Sequence, residues 1–229
     1  MMAFLQALAD SLRALGGLWS DGTLLPAIGH SLLRCLYGFG ASVAIGVPLG
    51  VLLPLSALLR RVVRPALSAV QSLPAAALVP VAVVLLGESE WAVYAVVLLG
   101  AVPSIAVGVA ASLDQVPPLL ARAGWSLGSG GLHQILHVRV PAALPGFVAA
   151  VRQGWTFGWR ALMTAELITS VPLPGVGRLL DAGKQQDDLA LVLAAVAVIL
   201  AIGVAVEWLL FTPVERRVLA ARGLVNSPA

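Results

Sequence analysis

Three long runs of this chain contain no charged residue, and each is long enough to cross a lipid bilayer as a helix. The runs are Cys35–Leu59, Pro65–Gly87 and Trp91–Leu113. About 20 apolar residues in helical conformation span the roughly 30 Å hydrocarbon layer of a membrane. Long apolar runs favour helices over a membrane barrel, whose strands alternate polar and apolar residues. We therefore predict an all-α, polytopic membrane protein.

Composition supports this prediction, because 11% of the residues are charged and 59% are hydrophobic. A soluble domain of ordinary composition carries about 25% charged residues. Two further spans are expected where charged residues interrupt apolar sequence. We predict about five transmembrane helices, at approximately 31–58, 66–87, 91–113, 143–169 and 189–212. No Ser- or Gly-rich linker divides the chain, so residues 1–229 are predicted to form one transmembrane domain.

Arginines cluster in the loop after the first predicted span and in the C-terminal tail. They are Arg60, Arg61 and Arg64 in the loop, and Arg216, Arg217 and Arg222 in the tail. Arg-rich segments next to spans stay in the cytoplasm. With five spans, this orientation places the C-terminus and the loop 114–141 in the cytoplasm. It places the N-terminal segment 1–27 and the loop 171–188 outside.

The N-terminal segment has the pattern of an amphipathic helix. Phe4, Leu5, Leu8, Leu12 and Leu15 recur at helical spacing, with Gln6, Asp10 and Arg13 opposite them. No basic stretch precedes an apolar core, so the pattern is not that of a signal peptide. We predict a helix that lies in the membrane interface.

The sequence carries no clear signature of another function. The net charge of +3 is dispersed, which argues against a nucleic-acid partner. Lys184 is followed by Gln185 where a phosphate-binding loop needs Ser or Thr. His133 and His137 would share a helix face, but no third ligand lies nearby in the sequence, so no metal site is predicted. Cys35 is alone, so no disulfide is expected. The sequence therefore does not predict an enzyme.

The loop Ala121–Gly146 is unusually long and polar for a connector between spans. Its order is a small-residue helical turn, Gly128, nine residues, and then Val138-x-Val140-Pro141. A loop with its own helical pattern on the cytoplasmic side indicates a contact surface for another protein.

The fourth predicted span carries a polar stripe at i+4 spacing. Arg152, Thr156, Arg160 and Thr164 form the stripe, and Trp155 and Trp159 flank it. Arg160 lies at membrane depth, where a charge must be paired or must face water. One interpretation is an ion pair with Glu166 or Glu207 that serves packing alone. The other is a cationic lining that attracts an anionic solute. The Arg152 side chain could instead reach the membrane interface. For Arg34, at the outer start of the first span, the same two interpretations apply, and we favour the structural one.

These residues resemble the inner-membrane permeases of type I ABC importers, in the sulfonate, taurine, nitrate and bicarbonate class. The loop is similar to the EAA motif of that superfamily: Glu-Ala-Ala, three residues, Gly, nine residues, Ile-x-Leu-Pro. Here it reads Arg122-Ala123-Gly124, Gly128, and Val138-Arg139-Val140-Pro141. Shorter similarities occur at Ser31–Gly40, Gly46–Gly50, Ser72–Pro80 and Pro141–Gly146, and at Trp159 with Ala165–Leu167.

The resemblance implies a homodimer of this chain in the bacterial inner membrane, two cytoplasmic ATPase subunits that hold ATP and Mg²⁺, and an external substrate-binding protein. The chain itself would hold no cofactor and would carry a small anionic solute. The residues implied in ATPase coupling are Arg122, Ala123, Gly124, Leu127, Gly128, Val138, Val140 and Pro141. Those implied in the translocation path are Arg152, Thr156, Trp159, Arg160, Thr164 and Glu166.

Two departures from the family pattern leave alternatives open. Arg122 replaces the acidic residue that opens the motif, and five spans are predicted where six are common. A non-transporting scaffold subunit would explain both. An ATP-independent secondary transporter fits the composition, although it usually shows internal repeats and discontinuous helix pairs. A membrane-embedded enzyme would need a cluster of catalytic groups at membrane depth, which the sequence lacks.

Overall fold

The computed structural model describes residues 2–169 and 174–223, with the backbone alone for residues 2–5, 7 and 8. Within these ranges the chain is helical and has no strand, which confirms the all-α prediction. The start of the predicted outer loop, at residues 171–173, lies outside the described residues. So do the side chains of Phe4, Leu5 and Leu8 in the predicted amphipathic stripe.

Eleven α-helices occur in the described residues. They are α1 (Met2–Ser20), α2 (Leu24–Leu52), α3 (Arg64–Ser72), α4 (Ala75–Leu86), α5 (Glu90–Asp114), α6 (Pro118–Ser126), α7 (Gly131–Gln134), α8 (Val140–Ile168), α9 (Val176–Gln185), α10 (Leu189–Val206) and α11 (Thr212–Ala220). A 3₁₀ turn follows α2 at Leu53–Leu55, and π-helical turns occur at Leu59–Val63, Ile135–Arg139 and Glu207–Phe211.

Four continuous helical segments of the described chain are long and apolar enough to cross a membrane. They are Leu24–Leu55, Glu90–Asp114, Gly131–Ile168 and Leu189–Ala220. These segments match four of the five predicted spans, although the first begins at Leu24 rather than at residue 31. The predicted N-terminal helix is also present, as α1.

The second predicted span, 66–87, is not one helix, which corrects the prediction. It is broken into Leu59–Ser72 and Ala75–Leu86, which together count as a fifth span. Pro74 is extended, with φ −60° and ψ 137°, and it precedes the first residue of α4. A proline cannot donate a backbone hydrogen bond, and it disfavours helical conformation at the residue before it. The break therefore follows from Leu73-Pro74.

Each π-helical turn ends two residues before a proline. Val63, Arg139 and Phe211 end the turns, and Pro65, Pro141 and Pro213 follow. A proline inside a helix lacks its N–H and clashes with the carbonyl four residues earlier. A turn widened to an i→i+5 pattern changes the position of that carbonyl and lets the helix continue. The three prolines therefore reshape their helices without ending them.

The chain divides into two compact units, each built from three separate stretches. The first unit comprises Met1–Gly40, Leu73–Gly100 and Thr156–Ala205, and the second comprises Ala41–Ser72, Ala101–Trp155 and Val206–Ala229. The prediction of one domain over residues 1–229 stays a prediction.

In the first unit, small residues let helices approach closely. A Cβ atom added at Gly38 would lie 2.9 Å from Val97 Cγ1, and one at Gly100 would lie 3.0 Å from Ala161 Cβ. Side chains of the unit that are fully buried include Cys35, Val79, Val93, Val96, Leu162 and Val176. Close backbone approach of this kind is typical of helix packing in membranes.

In the second unit, α2 packs against α5 through Gly46 and Gly50. A Cβ atom at Gly46 would lie 2.9 Å from Ile105 Cβ, and one at Gly50 would lie 2.7 Å from Val109 Cβ. This Gly-x-x-x-Gly spacing puts two small residues on one helix face, which allows the close packing. A small core of Leu53, Ala106 and Ala110 lies in the same unit, with Leu49, Leu59, Val63 and Leu67 packed around it.

Candidate functional site

The long polar loop of the second unit begins with α6, and Gly128 ends this helix. Gly128 has φ +80°. Its N–H donates to the carbonyl of Trp125 at 3.0 Å, and the Ser129 N–H donates to the carbonyl of Gly124 at 2.9 Å. This pair of bonds is a Schellman motif, which needs a left-handed residue after the helix. Because no atom lies within 4 Å of an added Cβ, conformation rather than space requires glycine here.

Gln134 joins the two halves of the loop. This side chain is 5% exposed. Its Oε1 accepts from Trp125 Nε1 at 2.8 Å, and its Nε2 donates to the Ala121 carbonyl at 2.7 Å. Next to it, an added Cβ at Gly124 would lie 3.1 Å from Val138 Cγ2. The loop is therefore a folded unit, in which the oxygen and the nitrogen of the buried Gln134 amide are both hydrogen-bonded. Gln134 is not among the predicted site residues, and its one signal in the sequence is an amide next to Ile135 and Leu136.

The folded loop leaves large apolar side chains exposed. Leu127 is 86% exposed, Leu119 is 74% exposed and Trp125 is 68% exposed. Of the residues predicted to couple, Gly124 is buried, Val138 and Val140 are half-buried, and Arg122, Ala123, Leu127, Gly128 and Pro141 are exposed. Exposed large apolar side chains on an ordered element indicate a surface that another molecule covers.

The side chains of the polar stripe on α8 differ in their exposure and in their contacts. Arg152, in the second unit, forms ion pairs with Glu207 and Glu215, the latter at 2.7 Å. In the first unit, Thr156 and Arg160 are exposed and Thr164 is half-buried. Trp159, predicted to line the path, is 6% exposed.

Arg160 has no carboxylate partner among the described residues, which corrects the proposed ion pair with Glu166 or Glu207. Its Nε donates to the Thr156 carbonyl at 3.2 Å. Its guanidinium carbon lies 4.8 Å from the centre of the Phe157 ring. Both contacts are local to one helix, so the positive charge of Arg160 is not neutralised there.

Glu166 instead lies in a buried cluster of the first unit. Its Oε1 accepts from Arg34 Nη1 at 2.9 Å, and Ser31 Oγ donates to its Oε2 at 2.7 Å. Arg34 Nε also donates to Glu90 at 2.8 Å. The side chains of Arg34 and Glu166 are 5% and 1% exposed. This buried ion pair supports the structural role favoured for Arg34, and the assignment of Glu166 to the translocation path stays a prediction.

The same carboxylate holds the start of α9. The Gly177 N–H donates to Glu166 Oε2 at 3.0 Å. The Val176 N–H donates to Ser31 Oγ at 2.9 Å. A carboxylate stabilises the N-terminus of a helix because the unpaired N–H groups there carry partial positive charge. A Cβ atom at Gly175 would lie 2.6 Å from Glu166 Oε2, so the glycine allows this close approach.

No group of three His, Cys, Asp or Glu side chains that could hold a metal ion occurs in the part of the chain that the structure describes. His133 and His137 stack with ring centres 4.0 Å apart. His137 Nδ1 lies 3.1 Å from the His133 carbonyl, a contact within one helical turn. The two rings form part of the exposed surface of the loop.

The chain matches the sequence model of one protein family over residues 42–218. That family is described as the binding-protein-dependent transport system inner membrane component. Over 187 residues the chain is 29% identical to the taurine transport system permease protein TauC of Escherichia coli (strain K12). The aligned residues cover 82% of this chain and 67% of that protein. Over 177 residues the chain is 27% identical to the bicarbonate transport system permease protein CmpB of Synechococcus elongatus, covering 77% of this chain and 63% of that protein.

A solved structure is similar in fold. The chain superposes with a TM-score of 0.72 and 21% identity on a chain of the MetNI methionine ABC transporter in an inward-facing conformation. The superposition covers 86% of this chain and 96% of that one. At this identity the likeness shows the fold alone.

Proposed function

The chain belongs to the family of inner membrane components of binding-protein-dependent transport systems, and we propose that it couples solute translocation to ATP hydrolysis on a separate subunit. The family match covers residues 42–218, which is most of the chain. The protein is thus the permease subunit of an ABC importer. The proposal adds the surface that binds the ATPase and the chemical class of the solute.

The ATPase-binding surface is the exposed apolar edge of the folded loop. We name Leu119, Trp125 and Leu127 the docking edge. The Schellman end at Gly128 and the Gln134 hydrogen bonds give this edge a fixed shape. A rigid apolar edge supports docking, because it loses little conformational freedom on binding. The positive-inside orientation places the loop in the cytoplasm, where ATPase subunits lie.

The assembly proposed here has two copies of this chain, two ATPase subunits that hold ATP and Mg²⁺, and an external substrate-binding protein. It lies in the bacterial inner membrane, with the C-terminus of the chain in the cytoplasm and the N-terminus outside. This chain contributes the translocation path and performs no chemistry. The predicted topology and the family membership support this assembly.

The solute proposed here is a small anion such as a sulfonate or a similar oxyanion. Two relatives are named for the transport of taurine, which carries a sulfonate group, and of bicarbonate. The exposed Arg160 on α8 supports the same class. A charge on a membrane-spanning helix that no carboxylate neutralises is expected to face other helices or a water-filled cavity rather than lipid.

Replacement of Leu127 tests the docking edge. Leu127→Asp should prevent the ATPase from co-purifying with the chain and should abolish ATP-dependent uptake. Burial of a leucine contributes about 1.5–3 kcal/mol, so its loss should weaken association by roughly 10- to 150-fold. The measurements are co-purification in detergent and uptake into vesicles.

Leu58→Asp is the matched control, because Leu58 is also a strongly exposed leucine, at 69%, and lies outside the loop. It should leave co-purification unchanged. Wild-type levels of bound ATPase in Leu127→Asp would refute the docking edge. Uptake that continues without ATP or ATPase would favour a secondary transporter.

A further inference from the structure

An open groove of about 700 Å³ lies beside α6, and three arginines line it. They are Arg60, Arg122 and Arg139, and we name this cavity the basic groove. Trp125 forms part of its wall and Gln134 also lines it. The groove therefore combines a flat aromatic side chain, fixed through its bond to Gln134, with three guanidinium groups.

The groove holds more positive charge than its own acidic residue can neutralise. Asp114 is the acidic side chain in the lining. Its Oδ2 already accepts from Arg64 Nη1 at 2.6 Å. Arg60 Nη2 donates to the Pro54 carbonyl at 3.0 Å. A neutral carbonyl accepts this hydrogen bond but does not neutralise the positive charge of Arg60. Within residues 2–169 and 174–223, Arg122 and Arg139 have no carboxylate partner.

We propose that the basic groove binds acidic side chains of the ATPase subunit. In this contact the permease supplies a cation, Arg122, at the motif position where the family has an acidic residue, and the ATPase supplies the carboxylate. The inference rests on the proposed function, since it names the partner group at the same loop. A guanidinium binds a carboxylate through two parallel hydrogen bonds. Arg122 stands where the family motif has an acidic residue, so a matching partner presents carboxylates instead of cations.

A protein surface fits the groove better than a lipid phosphate does. Trp125, at 68% exposure, forms an apolar wall, and the docking edge also includes Leu119 on α6 and Leu127 just after its end. Protein interfaces are enriched in aromatic residues and arginine together. Complementary charge in such a surface selects the partner and raises the rate of association.

A charge-reversal series tests the proposal on the full chain with its co-expressed ATPase. Arg122→Glu and Arg139→Glu should each weaken ATPase association by about tenfold, and the double variant should weaken it further. Arg61→Glu is the matched control, because Arg61 is exposed, lies next to Arg60 and does not line the groove. It should change association less than twofold. The wild-type association should also weaken as salt rises, because salt screens exposed charges.

Cross-linking identifies the partner group directly. Arg122→Lys keeps the charge and supplies an amine that a carbodiimide can join to a nearby carboxylate as an amide. Mass spectrometry of the cross-linked complex should locate Asp or Glu residues of the ATPase. If Arg122→Glu and Arg139→Glu associate as Arg61→Glu does, or if no ATPase carboxylate is cross-linked, the proposal is wrong.

Two further comparisons separate the alternatives. If Leu127→Asp also leaves ATPase association intact, the docking assignment fails. If Leu127→Asp abolishes association while the arginine variants do not, only the acidic partner is refuted. Vesicles of phosphatidylcholine alone and vesicles that contain phosphatidylglycerol distinguish a lipid ligand. An effect of Arg122→Glu that appears only with phosphatidylglycerol would assign the groove to lipid headgroups and overturn the proposal.

Discussion

Arg34 and Arg160 lie on helices that can cross a membrane, yet their surroundings are opposite. The Arg34 side chain is 5% exposed and contacts two carboxylates, those of Glu90 and Glu166. Arg160 is exposed, and its contacts are a backbone carbonyl and the Phe157 ring. Arg34 therefore stabilises the fold of the first unit. The charge of Arg160 remains available to a solute or to a second subunit.

The largest fall in stability is expected when the buried ion pair of Arg34 and Glu166 is broken. Glu166→Gln removes the charge that faces Arg34 and weakens the acceptor of the Ser31 and Gly177 hydrogen bonds. Removal of one partner of a buried ion pair costs about 3–5 kcal/mol. Thermal unfolding of the purified chain in detergent should show a large fall in Tm.

Glu88→Gln is the control for this substitution, since Glu88 is an exposed glutamate of the same unit. Its Tm should match that of the wild type. Equal Tm values for Glu166→Gln and Glu88→Gln would mean that the ion pair does not hold α9 and that Arg34 does not stabilise the first unit through Glu166.

An intermediate fall in stability is expected at Gln134, whose buried amide carries no charge. Gln134→Ala removes two hydrogen bonds from the loop, to Trp125 and to the Ala121 carbonyl. A buried group that loses its partner costs about 1–3 kcal/mol. Hydrogen exchange of residues 118–139 should become faster, with a smaller fall in Tm than in Glu166→Gln.

His133→Ala is the neighbouring control, because His133 is exposed. Exchange rates equal to those of the wild type in Gln134→Ala would show that Gln134 does not fix the loop. A fall in Tm as large as that of Glu166→Gln would show that burial, rather than charge, determines the cost of breaking either network.

The spans could be predicted because hydropathy reports membrane burial directly. The break in the second span could not be predicted from hydropathy, because Pro65–Gly87 is uniformly uncharged and its interruption depends on the conformation of Leu73-Pro74. The motif spacing identified Gly128 as a key position of the loop, and its φ of +80° gives the physical reason why a glycine stands there.

The lack of a carboxylate partner for Arg160 among the described residues could not be predicted, because the charge pattern of one helix does not show which neighbour is near. Glu166 follows Arg160 by six residues, which is about 240° around a helix with 3.6 residues per turn. The two side chains therefore point to different faces. Glu166 meets Arg34 of α2 and Glu207 meets Arg152, and both pairs are settled by tertiary packing.

The smallest effect on stability is expected at Arg160, with the clearest effect on function. Arg160→Gln removes a charge that no carboxylate of the described residues neutralises, so the free energy of unfolding should change by less than about 0.5 kcal/mol. Uptake of an anionic solute should fall, because the cation that attracts it is lost. Arg160→Lys keeps the charge and should retain more of the uptake. A large loss of Tm in Arg160→Gln, with normal uptake by the protein that stays folded, would instead assign Arg160 to packing and make it equivalent to Arg34.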